Sequence, residues 1–379
     1  MISADRPETR LATRLAFLAA GFGIASWAPL VPFAKQRLGA DDGQLGLLLL
    51  CLGVGSVIAM PLTGVLSARF GSKPVIIVGG LGLALILPLL SLANSPWTLG
   101  LALLAFGAAL GSLDVAMNVH AVEVERVANR PLMSGFHALF SVGGFAGATL
   151  MTLLLSLHLS AFASSLLCSV LLVLATVTAW PRLLRATHAE EGPLFVMPRG
   201  MVLVLAGLAA ITFLAEGAIL DWSALLITDK ALASKAQGGL GYTLFASAMT
   251  VGRLSGDAIT ARIGDRAALT WGGMLTIFGF MMLLLMPVPF IAMAGFLFIG
   301  LGASNVVPVL FRQAGAQRVM PAPLAVAAIT TTGYAGILLG PAGVGFVARG
   351  MGLPVAFGLL AILLCAVPAC ARLATPRSA

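Results

Sequence analysis

The sequence predicts an all-α integral membrane protein: twelve transmembrane helices in two pseudo-symmetric six-helix bundles. Three observations carry this. Hydrophobic residues make up 59% of the chain and charged residues 9%, with a mean hydropathy of +1.04, whereas a soluble domain carries about 25% charged residues. Such a chain belongs in a bilayer, where only helices and closed barrels satisfy the backbone. Its apolar runs are long and continuous, as in Val75–Leu92 and Ala161–Trp180. They match the roughly 20 residues that cross the hydrocarbon core as a helix and lack the period-two alternation of barrel strands. Finally, the chain repeats itself. Residues 23–35 (GIASWAPLVPFAK) lie over 218–230 (AILDWSALLITDK), pairing Trp27 with Trp222 and Lys35 with Lys230 at an offset of 195. Residues 64–73 (GVLSARFGSK) lie over 257–266 (DAITARIGDR), pairing Arg69 with Arg262 and Gly71 with Gly264 at an offset of 193. Parallel repeats of membrane helices with a site at their interface are a transporter architecture.

Twelve spans follow in order. The first, 13–34, is too long for a cleavable signal peptide, and Lys35 and Arg37 follow it where a small-residue cleavage site belongs. Spans 43–68 and 75–93 flank the basic stretch Gly64–Lys73. Span 98–122 carries Asp114 and His120, with Glu123 and Glu125 at its end. His137 and His158 lie near the two ends of span 134–157, and span 161–180 has no Asp, Glu, Lys, Arg or His. The longest polar break, 181–199, contains Arg182, Arg185, His188, Glu190, Glu191, Pro193, Pro198 and Arg199. It reads as a linker between an N-terminal bundle, 1–180, and a C-terminal bundle, 200–379. Span 201–226 carries Glu216 and Asp221, and span 238–261 carries Arg253 and Asp257. Spans 267–286, 290–311, 324–347 and 353–372 complete the second bundle, with Asn305 in the tenth and GILLGPAGVG in the eleventh.

The formal charge of +8 reads as topology. With the N-terminus inside and alternating spans, inside segments hold sixteen Lys and Arg against five outside, so the positive-inside rule puts both termini in the cytoplasm. These charges are scattered over separate segments and do not form the single basic face of a nucleic-acid binder. Cys51, Cys168, Cys365 and Cys370 all fall in spans without metal-ligand spacing, and read as small buried hydrophobes. The histidines form no metal motif, and no Walker loop is present. The sequence therefore offers no case for a metal, a cofactor, an enzymatic activity or ATP-driven pumping.

Twelve helices in two repeats, a basic linker and a basic glycine-containing loop after spans 2 and 8 resemble the major facilitator superfamily. Its loop signature, G-x-x-x-D-R-x-G-R-[RK], is matched by Gly64, Arg69, Gly71 and Lys73, with Ala68 at the Asp position. The second copy has Arg262, Gly264 and Arg266, with Ala261 at the Asp position and Asp257 at the first Gly position. Both departures bear on the charge latch usually built on that Asp. GSLDVAMN (111–118), SGFHALFSVGG (134–144) and GYAGILLGPAGVG (333–345) are similar to the fucose-permease-like bacterial branch, although span 1 lacks that branch's carboxylate. The resemblance implies that spans 1, 4, 7 and 10 line a central cavity, that spans 2, 5, 8 and 11 flank it, and that spans 3, 6, 9 and 12 are outer scaffold. These four scaffold spans hold no Asp, Glu, Lys, Arg or His over 75–93, 161–180, 267–286 and 353–371. An intramembrane charge costs a few kcal/mol or more and is expected to face a cavity or a partner.

At 100° per residue, Gly107, Gly111, Asp114, Asn118 and Glu125 share one face of span 4, and Glu123 points the opposite way. That pattern suits a polar wall with room for a ligand, or else Asp114 pairs with a neighbouring helix for packing. In span 7, Ala209, Thr212, Glu216 and Ser223 share a face; Asp221 lies about 140° away, nearer the outer end, as an interfacial or outer-gate residue. Glu216-Gly217 also fits a local helix break. Trp27 and Trp222 are ring stackers for a ligand or a gate, or else aromatic-belt residues. Asn305, offset 191 from Asp114, suits hydrogen bonding to a solute or between helices. Arg253 and Asp257 are spaced i, i+4 and can pair; with His137, Glu125 and Glu123 they form an inner gate or a static bridge. GILLGPAGVG predicts a bend and close packing.

The expectation is a monomeric secondary active transporter of the bacterial inner membrane, acting on a small polar solute such as a sugar or related metabolite. Protonatable Asp114 and Glu216 make it a proton-coupled symporter working by alternating access. Two other readings stay open: a multidrug/proton antiporter, with Met and Phe supplying a wide apolar pocket, and a non-transporting membrane sensor.

Overall fold

The computed structural model describes residues 6–40, 42–184, 197–232 and 239–375. Five of the linker residues named above (Arg185, His188, Glu190, Glu191 and Pro193), with Lys235 and Arg377, lie outside the described residues. Among the described residues all regular structure is helical. Eleven helices are long and apolar enough to cross a membrane: α1 (Pro7–Leu38), α2 (Gln44–Phe70), α3 (Ser72–Leu92), α4 (Pro96–Ala128), α5 (Met133–Ser156), α6 (Ala161–Arg182), α7 (Met201–Asp229), α8 (Leu240–Leu285), α9 (Pro289–Ala316), α10 (Ala322–Met351) and α11 (Leu353–Ala374).

The count differs from twelve because α8 holds predicted spans 8 and 9. Its 46 residues would reach about 70 Å at 1.5 Å per residue, twice the hydrocarbon core. The helix turns a corner at Gly264, at φ 80° and ψ 161°. Its repeat partner Gly71 has φ 78° and ψ 164° and starts α3. A positive φ with extended ψ is open only to glycine at low cost, so one glycine builds the same corner twice.

Local chemistry fixes the helix ends. Ser95 and Thr98 form a reciprocal capping box at the start of α4, with Pro96 at its first position. Arg37 donates from Nε to Ala93 O (2.9 Å) and from Nη2 to Leu90 O (2.8 Å), capping the C-terminus of α3. Lys230 donates to Leu284 O (2.6 Å) and caps the far end of α8 in the same way. A cation at a helix C-terminus answers the exposed carbonyls and the dipole. Arg37 and Lys230 thus share one role in the two repeats.

Two helices are interrupted. In α1 the stretch Ala28–Leu30 is a 3-10 turn, beside Pro29 and Pro32, which cannot donate in the helical ladder. In α9 the helix ends at Ala303 and restarts at Val306, with Asn305 at φ −105° and ψ −2°. Pro308 has no N–H for the Ser304 carbonyl four residues earlier, and its ring crowds that carbonyl. By contrast α7 runs unbroken through Glu216 and Gly217, and α10 is one helix from Ala322 to Met351.

Packing divides the chain into two compact units. One comprises Met1–Asn129, Leu139–Met197 and Met320–Thr331; the other comprises Arg130–Ala138, Pro198–Val319 and Thr332–Ala379. The first turn of α5 thus belongs to the second unit, and the first ten residues of α10 to the first.

Inside each unit the same close approaches recur. A Cβ on Gly107 (α4) would strike the Leu52 carbonyl of α2, and a Cβ on Gly300 (α9) would strike the Phe245 carbonyl of α8, both at an offset of 193. Gly143 and Gly147 (α5) meet the carbonyls of Leu18 and Phe22 in α1, as Gly336 and Gly340 (α10) meet those of Ala210 and Leu214 in α7. Small residues let membrane helices approach backbone to backbone. Along α1 and α7 this register is 192. The offset of 195 read from the tryptophans is three residues longer, nearly one turn. By packing register, Trp222 corresponds to Leu30 and Trp27 to Ile219.

Large side chains such as Ile58, Trp97, Phe145, Phe290 and Phe346 point outward, as lipid-facing positions require. Of the four free cysteines only Cys168 is buried. Cys365 is exposed, so the reading of all four as core residues fails; an apolar thiol suits a lipid-facing surface as well.

Candidate functional site

The second unit buries an ion pair. Arg253 Nη2 of α8 lies 3.9 Å from Glu216 Oε2 of α7, with side-chain exposures of 10% and 18%. Glu216 Oε1 is buried without a hydrogen-bond partner. Tyr242, eleven residues before Arg253 on α8, is within electrostatic reach of both groups and of Asp221. Its ring packs on Phe245 at 6.2 Å. Asp221 itself is exposed, as is the neighbouring Leu220.

A second polar cluster holds the first turn of α5. Asp257 accepts from the backbone N–H of Ser134 at 2.9 Å and of Gly135 at 2.8 Å, one bond to each carboxylate oxygen. A carboxylate there answers both the orphan amides and the dipole of a helix N-terminus. Ser134 Oγ donates to Asn305 Oδ1 (2.7 Å), and Asn305 Nδ2 donates to Gly252 O (3.3 Å) and Ser304 Oγ (3.0 Å). Both Asn305 amide hydrogens are therefore engaged with neighbouring protein groups, which makes it a connector between helices. His137 is buried and stacks on Phe311 at 5.6 Å. In the first unit the position equivalent to Asp257 is Gly64, and it meets the start of α10 by contact: a Cβ there would lie 2.5 Å from Ala327 Cβ and 3.3 Å from Pro323 O. Equivalent corners thus clamp equivalent helix starts, one by charge and one by packing.

In α4, Asn118 Nδ2 donates to the backbone carbonyl of Asp114 (2.9 Å) and to its Oδ1 (3.0 Å). Both side chains are buried, and Asn118 Oδ1 has no hydrogen-bond partner. Gly107 and Gly111 on the same face do not leave room for a ligand. Their Cβ positions fall on the backbone of α2 at Leu52 and Ser56. Glu125 is buried further along. His120 is a structural pin: the Leu184 amide donates to its Nε2 (3.0 Å), and its Nδ1 lies 3.1 Å from Thr13 Oγ1. Because Nε2 accepts, Nδ1 carries the proton and donates to Thr13, whose hydroxyl donates on to Thr9 O (3.0 Å). Trp27 is buried, and Trp222 is half-buried with its ring against Gly345. Each indole N–H is buried without an acceptor.

Sequence reasoning passed over Asp265, which receives Arg312 Nη1 and Gln313 Nε2, the latter at 2.6 Å. The signal was present: an acid directly after the corner glycine, with a basic residue ending span 10. It puts a charge latch one residue beyond the glycine in the second repeat, although the signature Asp is missing. Tyr242 was also missed, since a tyrosine near a helix end reads as a belt residue.

A family model described as Major Facilitator Superfamily matches residues 15–321. The chain is 51% identical to an uncharacterized MFS-type transporter of Yersinia pestis, covering 97% of this chain and 96% of that one. It is 32% identical to the membrane protein MosC of Rhizobium meliloti, covering 91% and 85%. Among solved structures it is similar to the transporter FucP in its outward conformation, with a TM-score of 0.81 at 17% identity over 98% and 99% of the two chains. It is also similar to the human organic anion transporter MFSD10, with a TM-score of 0.77 at 16% identity over 98% and 100%. At these identities the structural likeness speaks to the fold.

Proposed function

Because the chain belongs to the major facilitator superfamily, we propose that it is a proton-coupled secondary active transporter of the bacterial inner membrane. It moves a small polar solute, a sugar or related metabolite, by alternating access, as a monomer with both termini in the cytoplasm. One observation carries the coupling: the buried Glu216–Arg253 pair has no counterpart in the repeat. By the packing register the equivalent residues are Ile24 and Met60. The first unit thus carries no charge at these two positions, and a buried pair costs desolvation that a stable bundle does not require. Glu216 is the proton carrier and Arg253 its counter-ion. Asp114 with Asn118 is a further coupling or solute-binding pair, and Trp27 and Trp222 offer indole N–H groups to the solute or the outer gate. His137, Asp257, Asn305 and Glu125 belong to the inner gate, and Asp221 to the outer end.

The test is reconstitution into liposomes with a trapped pH dye and a library of metabolites. One or more small polar solutes are expected to drive proton movement in the wild type. Glu216→Gln should abolish that movement while leaving solute counterflow. Solute movement with no proton movement in the wild type would remove the coupling.

A further inference from the structure

Four groups that pass or answer a proton line up in the second unit, and their exposure falls along the line. We propose that Asp221 and Tyr242 form the route by which protons reach Glu216 from the outer face. The inference rests on the reading of Glu216 as the proton carrier and adds how that carrier is filled.

A carboxylate deep in a membrane helix exchanges its proton with water through a chain of polar groups. Glu216 is mostly buried, and its Oε1 has no hydrogen-bond partner. Asp221 is the next acid along α7, five residues on, or about 7.5 Å toward the outer end. It is exposed. A carboxylate turned to lipid is costly, so its exposed side meets water or headgroups. α7 cannot join the two acids by itself, because five residues turn Asp221 about 140° away from Glu216. The link comes from α8. Tyr242 is within electrostatic reach of Glu216, Asp221 and Arg253 together. It precedes Arg253 by eleven residues, which puts the two within about 20° on one face of α8. Tyr242 is 36% exposed, and the Glu216 and Arg253 side chains 18% and 10%. The order Asp221, Tyr242, Glu216, Arg253 therefore runs from water to interior.

A phenol suits the middle of this order, since its hydroxyl both accepts and donates. It takes a proton on its oxygen from a water beside Asp221 and passes its own proton toward Glu216 Oε1. Glu216 gains one proton, the water at the mouth loses one, and Tyr242 ends as it began. The Asp221 charge concentrates protons at the mouth. At the other end the Arg253 guanidinium repels a proton travelling further, so the route stops at Glu216. Protonation of Glu216 does not isolate Arg253, because the Asp257 carboxylate lies one turn along α8, bonded to the α5 amides. His137 on α5 is also within reach of Arg253, and from α10 Tyr334 lies across Phe213 at 6.4 Å, three residues before Glu216.

The repeat supports the grouping. By the packing register the first unit has Pro29 in place of Asp221 and Leu49 in place of Tyr242. The acid and the phenol are thus confined to the unit that holds the ion pair, as parts of one device would be.

The experiment uses the full-length protein in liposomes, in one orientation, and its probe is the proton itself. The infrared carboxyl band of protonated Glu216, assigned by its loss in Glu216→Gln, is followed after an acid pH jump applied to either face. Tyr242→Phe and Asp221→Asn should each slow the rise of the band about tenfold or more after an outer jump. Both should keep the wild-type rate after an inner jump. Asp221→Glu keeps the carboxylate and should keep the outer rate. Wild-type outer rates in Tyr242→Phe or Asp221→Asn, equal slowing from both faces, or slowing in Asp221→Glu as severe as in Asp221→Asn would overturn the inference and leave Glu216 as the carrier. Absence of any titrating Glu216 band in the wild type would overturn the carrier reading, and the route with it.

Discussion

Asp257→Ala tests whether charge holds the first turn of α5. The substitution removes both acceptors of the Ser134 and Gly135 amides, at 2.9 and 2.8 Å. A hydrogen bond to a charged group contributes about 1.5–3 kcal/mol, and a carboxylate at a helix N-terminus adds about 0.3–1 kcal/mol more. Asp257 is half-buried, so water takes over part of the role, and the expected loss is about 2–4 kcal/mol. Asp257→Asn keeps one acceptor oxygen and turns its NH2 toward the second amide, so it should lose roughly half as much. Ser134→Ala is the control. It deletes only the neutral bond to Asn305 and should cost about 1 kcal/mol. Melting of the purified protein gives the energies. Spin labels at the exposed positions Arg130 and Arg262 report whether the α5 start leaves α8. The distance distribution should broaden in Asp257→Ala and stay narrow in Ser134→Ala. An Asp257→Ala protein that melts with the wild type at unchanged distance would show that the carboxylate clamps nothing.

Four further outcomes are expected. Gly107→Val and Gly300→Val each push a side chain into a carbonyl of the neighbouring helix; both should cost about 3 kcal/mol or more and collapse the monodisperse peak in gel filtration, and tolerance of either would break the repeat symmetry of the packing. Arg253→Ala leaves Glu216 buried without its counter-ion and should lose about 3–5 kcal/mol in thermal melts, with the Glu216→Gln/Arg253→Gln variant recovering most of it; equal melting of all three proteins would make the pair irrelevant to folding. Asp114→Asn keeps an acceptor for Asn118 and should fold, yet lose gradient-driven accumulation while retaining counterflow; full accumulation would take Asp114 out of the coupling. A single cysteine at position 190 in a Cys-free background should be protected from an impermeant reagent in intact cells, and labelling there would reverse the topology.

Much of the architecture was legible because it depends on what each helix needs from lipid and from its own backbone. Apolar runs of span length and the pairing of Gly71 with Gly264 gave the helices and the repeat. What escaped was the choice of partners between helices. Arg253 and Asp257 are neighbours by i, i+4 spacing, but Glu216 and the α5 amides approach them from other helices. Spacing along one helix carries no information about those neighbours. Gly107 and Gly111 read equally well as room for a ligand or as a seam, and only the α2 backbone decides for the seam. The tryptophan alignment slipped by three residues because a shift of nearly one turn keeps each ring on the same face, where periodicity cannot detect it. The break in α9 was written in Pro308, within an apolar run that otherwise hides it.

The two units share their close-packed carbonyl–glycine seams, their corner glycines and their basic helix caps, but not their buried charges. Gly64 faces the start of α10 where Asp257 faces the start of α5. Ile24 and Met60 stand where Glu216 and Arg253 pair, and by the packing register Val307 stands where α4 carries Asp114. Features that both units keep are the ones a bundle needs in order to fold. A charge that one unit does without is not required by the shared packing, and its desolvation must be offset by something only one unit does. On that reasoning Glu216 and Arg253 rank above Asn305, whose polar atoms join three helices, as the residues in which to look for the proton and the solute.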